Sequence, residues 1–476
     1  YDGDPDTRLS QYALLGAGSV RALAALGVTP GVFHLNEGHA VLAPLQLAAD
    51  IALGQATPLE QAGSGAAIEA ARARTVFTTH TPVPAGNDTY PAAQVTAVMS
   101  GLLDELGIEP EGLIGLGRTD AENAEEPFGI TQAALRLSRS AGGVSRRHGQ
   151  VAREMWRELW PDRDVADVPI GHVTNGVHVP TWIGVPIRRL LDEQLGEGWL
   201  FAADPTAAWE AVQRIPDAAL WQARCAQRAD LVAHLKGRSL DQRLERGDSR
   251  EYVTAAAGAF DPDVLTIGFA RRLATYKRLD LLIRNPEFVL ALLSGERPAQ
   301  FVLAGKAHPR DDEAKRMLQR VFGLKHAREV AERVVFLDNY DLAEGARLTR
   351  GCDLWLNLPR PPLEASGTSG MKSAINGGLQ LSVLDGWWAE AYDGSNGWAI
   401  DGEVDSDPAA QDARHSQQLE HLLLEEVLPA FYTRDADGRP HAWLDRIRRS
   451  MRTLGPRFAA TRMVSDYVRG PYRSAP

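Results

Sequence analysis

Five apolar runs in the second half of the chain constrain its fold more than any other feature of the sequence. They read V-L-T-I-G-F-A, Q-F-V-L-A-G, R-V-V-F-L-D, C-D-L-W-L-N and L-Q-L-S-V-L-D, each bounded by turn residues. Helical patterns separate most of them. Continuous apolar runs, as opposed to alternating ones, belong to strands buried on both faces, and a helix between two such runs is the crossover that parallel pairing requires. The second half is therefore expected to be a doubly wound α/β sheet, in which ligands bind beyond the carboxyl ends of the strands.

The first half alternates in the same way. Helical spacing from Arg8 to Leu26 is closed by Gly27, followed by a V-F-H-L strand and the loop N-E-G-H. A helix around Ala66 to Arg72, a T-V-F-T-T strand and the loop H-T-P-V-P-A-G-N-D form a second unit of this kind. The segment Ala152 to Trp160 reads as helix, and Asn175-Gly176 as a turn. Residues Val185 to Arg250 are charged and helix-rich. A chain of 476 residues exceeds one compact core, so two domains are expected, 1–184 and 185–476. A formal net charge of −11 argues against a general nucleic-acid binder, which needs a basic surface. Two cysteines far apart in sequence, Cys225 and Cys352, build neither a disulfide framework nor a zinc site. No apolar run approaches the roughly 18 residues of a membrane span, and a cytoplasmic setting is expected. The chain opens at Tyr1 without methionine and is expected to be a piece of a longer protein.

Each strand end delivers polar groups. Arg271, Arg272, Lys277 and Arg278 follow the first run, four cations within eight residues, which suits phosphate. Lys306 in G-K-A-H-P follows the second, and Asn339-Tyr340-Asp341 the third. The fourth leads through P-R-P-P-L into Glu364–Asn376, E-A-S-G-T-S-G-M-K-S-A-I-N, a glycine- and hydroxyl-rich loop ahead of a lysine. Such a loop serves equally as a structural turn or as an anion-handling site. No G-x-G-x-x-G after a strand, no G-x-x-x-x-G-K-[ST], no H-E-x-x-H and no G-x-S-x-G is present. His34 and His39 flank Glu37 without metal-site spacing, so no metal is expected. Phosphoryl anions or a phosphate-bearing cofactor remain the better reading.

Extended through N-G-G-L-Q-L-S-V-L-D-G-W-W, the glycine loop resembles the pyridoxal-phosphate segment of the α-glucan phosphorylases, the glycogen, starch and maltodextrin phosphorylases, in their short bacterial form. F-H-L-N-E-G-H, T-T-H-T-P-V-P-A-G, T-N-G-V-H-V-P-T-W, F-A-R-R-L-A-T-Y-K-R, A-G-K-A-H-P and F-L-D-N-Y match in the family's order over nearly the whole chain. The resemblance implies two Rossmann-like domains facing a central cleft (a GT-B glycosyltransferase architecture), the first truncated. It implies phosphorolysis of α-1,4-glucan to α-glucose 1-phosphate with retention, with inorganic phosphate as the second substrate and pyridoxal 5′-phosphate as proton relay.

Carried over residue by residue, Lys372 would anchor the cofactor, beside Arg271, Tyr340, Thr368 and Ser369. Arg272 and Lys277 would hold substrate phosphate. Glu364, Ser366, Gly367 and Tyr276 would hold the glucosyl hydroxyls, and His80 and Asn175 the 6-hydroxyl, with His80 counted beside Arg272 and Lys277 in the catalytic set. The resemblance also implies a possible homodimer. Two departures stand out: the family's glycine-rich loop upstream has no counterpart before the start of this chain, and Gly142 stands where asparagine is usual. The piece alone is therefore expected to turn over poorly or to misfold in its first half. Competing readings are a nucleotide-sugar glucan synthase of the same fold, an inert fragment and a pyridoxal-phosphate aminotransferase.

Overall fold

The computed structural model describes residues 4–54, 64–196, 198–201, 205–258, 260–307, 311–323 and 328–473. By contact the chain divides into two compact units, Tyr1–Thr174 with Val464–Pro476, and Asn175–Met463. The sequence reading put the division at 184 and gave the C-terminus to the second domain. The final segment instead belongs to the first unit because its tyrosines are anchored there. The Tyr472 hydroxyl lies 2.8 Å from His34 Nδ1, and Tyr467 is 3.1 Å from the Thr78 hydroxyl, with the two tyrosine rings stacked.

In the first unit four parallel strands run in the order β1-β2-β5-β6: β1 Phe33–Asn36, β2 Thr75–Thr78, β5 Ser140–Gly143 and β6 Ile170–His172. A two-stranded antiparallel ribbon joins β3 Thr89–Tyr90 to β4 Phe128–Gly129. Helix Pro5–Ala25 matches the helical spacing read from Arg8 to Leu26, and Gly27 follows it in the left-handed region. The helix read at Ala152–Trp160 lies earlier, at Arg146–Met155, because Ser145 caps it by accepting from His148 N. A short 3₁₀ turn, Arg157–Leu159, occupies the end of the expected span. No turn forms at Asn175-Gly176. That backbone runs alongside residue 459, with Val177 N donating to Phe458 O at 2.8 Å, and a Cβ on Gly176 would overlap the Ala459 carbonyl. Close approach of two backbones, not turn geometry, requires glycine there.

The second unit holds six parallel strands: β7 Leu265–Ala270, β8 Ala299–Ala304, β9 Val334–Leu337, β10 Leu354–Asn357, β11 Leu379–Val383 and β12 Trp398–Ile400. They lie in the order β12-β11-β10-β7-β8-β9. Counted from β7, this is the doubly wound order 3-2-1-4-5-6, whose switch point falls between β7 and β10. The five expected runs are all present, and β12 is a sixth. At the amino ends of the two central strands a buried ion cluster sets their register. Asp353 accepts from Arg228 at 2.7 Å and from Thr266 N at 3.1 Å, while Arg224 donates to the Cys352 carbonyl at 2.8 Å. Both arginines come from the 29-residue helix Asp217–Glu245. Paired in this way, the charges tolerate burial that a lone charge would not, although Arg224 Nε is left without a partner among the described residues. With β7 and β10 locked at one end, the loops at the other inherit a fixed offset.

Candidate active site at the switch point

Strand β7 ends at Ala270, directly before Arg271, and a 3₁₀ turn Thr275–Lys277 follows it, while β10 ends in Asn357 and runs into the loop that carries Glu364. These two chain ends meet. Lys277 Nζ donates to Glu364 Oε2 at 2.6 Å and Arg271 Nη2 to Glu364 Oε1 at 3.2 Å, with all three side chains about nine-tenths buried. Arg271 also donates to the Asn357 side-chain carbonyl, and Asn357 in turn donates to Ser382 on β11. Burial alone would raise the Glu364 carboxyl, but the charges of Arg271 and Lys277 outweigh it and hold the group below the usual carboxylate range. Lys277 goes the other way. Burial, reinforced by repulsion from Arg271, pushes it down to about 8 despite its bond to Glu364. Its ammonium lies 4.3 Å from the Tyr276 ring centre, and burial pushes the Tyr276 hydroxyl up to about 12.

Of the four cations expected to hold phosphate, Arg278 does not face an anion site. Its backbone is left-handed (φ 47°), and its guanidinium is spent on the Leu358 and Pro359 carbonyls, Asp412 and His415. Arg272 is exposed at the end of β7, and Lys306 is exposed after β8. His308 and Pro309 of the same motif lie outside the described residues.

The glycine loop is built against the D-G-W-W segment. Glu364 N donates to Asp385 Oδ2 at 2.8 Å, and Trp387 N to the Ser366 carbonyl at 2.8 Å. Gly367 sits at φ 98°, where a Cβ would press on Trp387 at 3.0 Å, so glycine is dictated by both backbone and space. Ser366 is 6 % exposed, and its buried hydroxyl has no partner among the described residues. Ser369 accepts from Trp355 Nε1 at 3.1 Å, and Thr368 is half-buried beside it. Lys372 projects from the short helix Thr368–Ala374, with its amine 3.6 Å from the centre of the Trp182 ring, and burial lowers its affinity for the proton. Asn376 ties these two together, donating to the Trp182 carbonyl at 3.0 Å and the Lys372 carbonyl at 2.8 Å. Tyr340, after β9, is half-buried, its hydroxyl pushed up by burial and pulled down by the Arg271 charge. The Asn175 carbonyl accepts from Arg462 at 3.0 Å.

His80 belongs to the first unit. There Glu37 (φ 72°) organises the loop after β2, accepting from His80 N at 2.7 Å and from the Thr81 hydroxyl at 2.9 Å. His80 Nε2 is 2.6 Å from Asn36 Oδ1, and burial lowers the imidazole below its usual value. His34 is taken by Tyr472 and Thr78, and among the described residues no group of three His, Cys, Asp or Glu is placed to hold a metal ion.

The family model for the carbohydrate phosphorylases matches residues 121–395, a span that includes β7 through β11 with Arg271, Lys277, Glu364 and Lys372, while His80 lies before it. The chain belongs to the carbohydrate phosphorylase family. It is 42 % identical over 492 residues to glycogen phosphorylase of Mycobacterium tuberculosis (strain H37Rv), covering all of this chain and 55 % of that protein. It is 38 % identical over 477 residues to maltodextrin phosphorylase of Thermococcus litoralis, again covering all of this chain and 55 % of the relative. To glycogen phosphorylase of Aquifex aeolicus the identity is 38 % over 472 residues, 98 % of this chain and 66 % of that one. The chain thus spans little more than half the length of the first two relatives. Within this site, sequence reasoning assigned no role to Asn357, Asp385, Trp182 or Asn376. All four stand inside motifs read from the sequence, but their partners lie on other elements, in the case of Trp182 nearly two hundred residues away.

Proposed function

We propose that this chain carries the phosphorolytic site of an α-glucan phosphorylase, cleaving the terminal α-1,4 bond with inorganic phosphate to give α-glucose 1-phosphate with retention. The observation that supports this most is the meeting, at the switch point of one sheet, of Lys277 and Arg271 with Glu364, beside the glycine loop and Lys372. Glycosidic cleavage needs an acid for the leaving oxygen, charge to stabilise an oxocarbenium-like transition state, and exclusion of water. Lys277, with its proton affinity near 8, is mostly charged at neutral pH and offers a compact charge to phosphate oxygens. Arg272, exposed at the end of β7, is assigned by resemblance to substrate phosphate. Phosphate held by these two would protonate the leaving oxygen and then attack the anomeric carbon from the same face.

Glu364 would accept hydrogen bonds from glucosyl hydroxyls, and the unpartnered Ser366 hydroxyl would find its partner there. Gly367 and Tyr276 complete that set, and Asn175 and the neutral His80 are assigned to the 6-hydroxyl. Lys372 suits a covalent attachment because burial lowers its affinity for the proton and, among the described residues, its ammonium meets a ring face and no carboxylate. It would hold pyridoxal phosphate, flanked by Thr368, Ser369, Tyr340, Arg271 and Trp182. When bound, the cofactor supplies a phosphate group that relays protons. Positive charge from Arg271 and Lys277 offsets the repulsion between two phosphates in a buried site.

The test is to add pyridoxal phosphate to the purified chain, reduce with borohydride, and map the label by mass spectrometry, in parallel with maltodextrin phosphorolysis without nucleotide sugar. Label on Lys372 and release of glucose 1-phosphate are expected. Absence of label there removes the cofactor assignment. Turnover that requires a nucleotide sugar would favour a synthase.

A further inference from the structure

A cavity of about 310 Å³ opens in the second unit beside the loop that carries Lys277, and of its lining the chemistry above uses Tyr276 alone. Its walls come from the Thr275–Asp280 segment, one face of the helix Asp312–Gly323, and the loop at 360–363. On that helix Glu313, Met317 and Arg320 fall at spacings of four and three, the positions that share a helix face. The back wall is braced. Arg278 and Arg360 both donate to Asp412, at 2.9 and 2.8 Å, and Arg360 also donates to Gln411. Those two guanidinium groups are thereby committed.

The side chains left to a ligand are those of Thr275, Asp280, Glu313 and Arg320, which make no hydrogen bond or ion pair among the described residues, although the Asp280 charge is felt by Arg278. Three arginines and three carboxylates line the space, so its formal charge balances and selects neither an anion nor a cation. Uncommitted carboxylates beside an uncommitted guanidinium want a ligand that both donates and accepts, which is the property of a hydroxyl. Met317, Leu363 and Tyr276 add apolar surface for a carbon ring face. The volume lies at the lower end of the range of about 300–1,000 Å³ typical of small-molecule sites.

We propose that this cavity is a second binding site, separate from the Glu364 site, for a neutral polyhydroxylated ligand of pyranose size. Tyr276 connects the two: its ring lies on Lys277, and its carbonyl accepts from Arg360 N at 2.7 Å. A ligand in the cavity therefore bears on the loop that positions Lys277. The choice of glucosyl units as the polyol rests on the proposed function; the cavity's chemistry does not.

The test is equilibrium binding of glucose, maltopentaose and inorganic phosphate to the full chain by calorimetry. The proteins are wild type, Glu364→Gln, the double variant Asp280→Asn/Glu313→Gln, and the three changes combined. Two sugar sites are expected in wild type. The one that survives Glu364→Gln should weaken about tenfold when Asp280 and Glu313 are also changed, since hydrogen bonds to charged groups are lost. Should Glu364→Gln fail to fold, the wild-type stoichiometry of two falling to one in the double variant carries the same information. Glucose binding without maltopentaose would mark a free-sugar site, and binding of both a chain-end site; either supports the proposal. Absence of any wild-type sugar site that depends on Asp280 and Glu313, or phosphate taking the cavity in place of sugar, would overturn it. Failure to label Lys372 with this second site intact would count against the phosphorylase reading alone.

Discussion

Replacing Glu364 by glutamine keeps the shape of the side chain and removes the carboxylate that, among the described residues, Lys277 and Arg271 share. With the three groups 9 %, 11 % and 5 % exposed, solvent screens the interaction little. Removing one partner of a buried ion pair typically costs about 3–5 kcal/mol, because the remaining charge stays desolvated. Lys277 can escape by losing its proton, since its affinity is already near 8, whereas Arg271 cannot. The lower end, about 3 kcal/mol, is therefore expected. For a unit the size of Asn175–Met463 each kcal/mol moves the midpoint by roughly 1.5–2 °C, so Glu364→Gln should melt about 5 °C below wild type in calorimetry at pH 7. Sulfate then discriminates the cause. An anion entering the site replaces the missing charge, so added sulfate should raise the midpoint of Glu364→Gln by several degrees more than that of wild type. Equal midpoints for the two proteins, or equal shifts with sulfate, would refute the reasoning.

Two further outcomes follow from the same geometry. Lys277 titrates in the folded chain near 8, below the ordinary lysine value of 10.5, so the folded state binds fewer protons than the unfolded one between those values. Its contribution to stability therefore rises with pH across that window, while its charge, and with it sulfate affinity, falls above about pH 8. Sulfate does not titrate there, so binding measured from pH 6.5 to 9.5 should decline in wild type and stay flat in Lys277→Met. A Cβ at Gly176 would overlap the Ala459 carbonyl, whereas one at Gly142 would make ordinary contacts at 3.6 Å. Gly176→Ala should lower the urea-derived stability by about 1–3 kcal/mol, and Gly142→Ala by markedly less; equal losses would contradict the close backbone approach.

Much of the second unit was legible because its strands are continuously apolar and closed by turns. The exceptions are instructive. Strand β12 is only Trp398–Ile400, and β5 is Ser140–Gly143, too short or too glycine-rich to carry a pattern, and both exist because a neighbouring strand templates them. Cations at the end of β7 were visible as a cluster, but their division of labour was not. Which of Arg271, Arg272, Lys277 and Arg278 faces a ligand depends on a left-handed residue at 278 and on carbonyls eighty residues away. Likewise the glycine loop announced itself, while its supports, Asp385 and Asn357, gain their roles only when β10 and β11 lie side by side.

The pair Lys277-Arg278 puts two like charges next to each other in sequence and gives them unrelated employers. Lysine has the compact head to serve a changing anion, and arginine the flat fork to staple carbonyls and a carboxylate at once. The order of the dipeptide is thus information in itself: composition, net charge and hydropathy would all survive an exchange of the two letters, and the site would not.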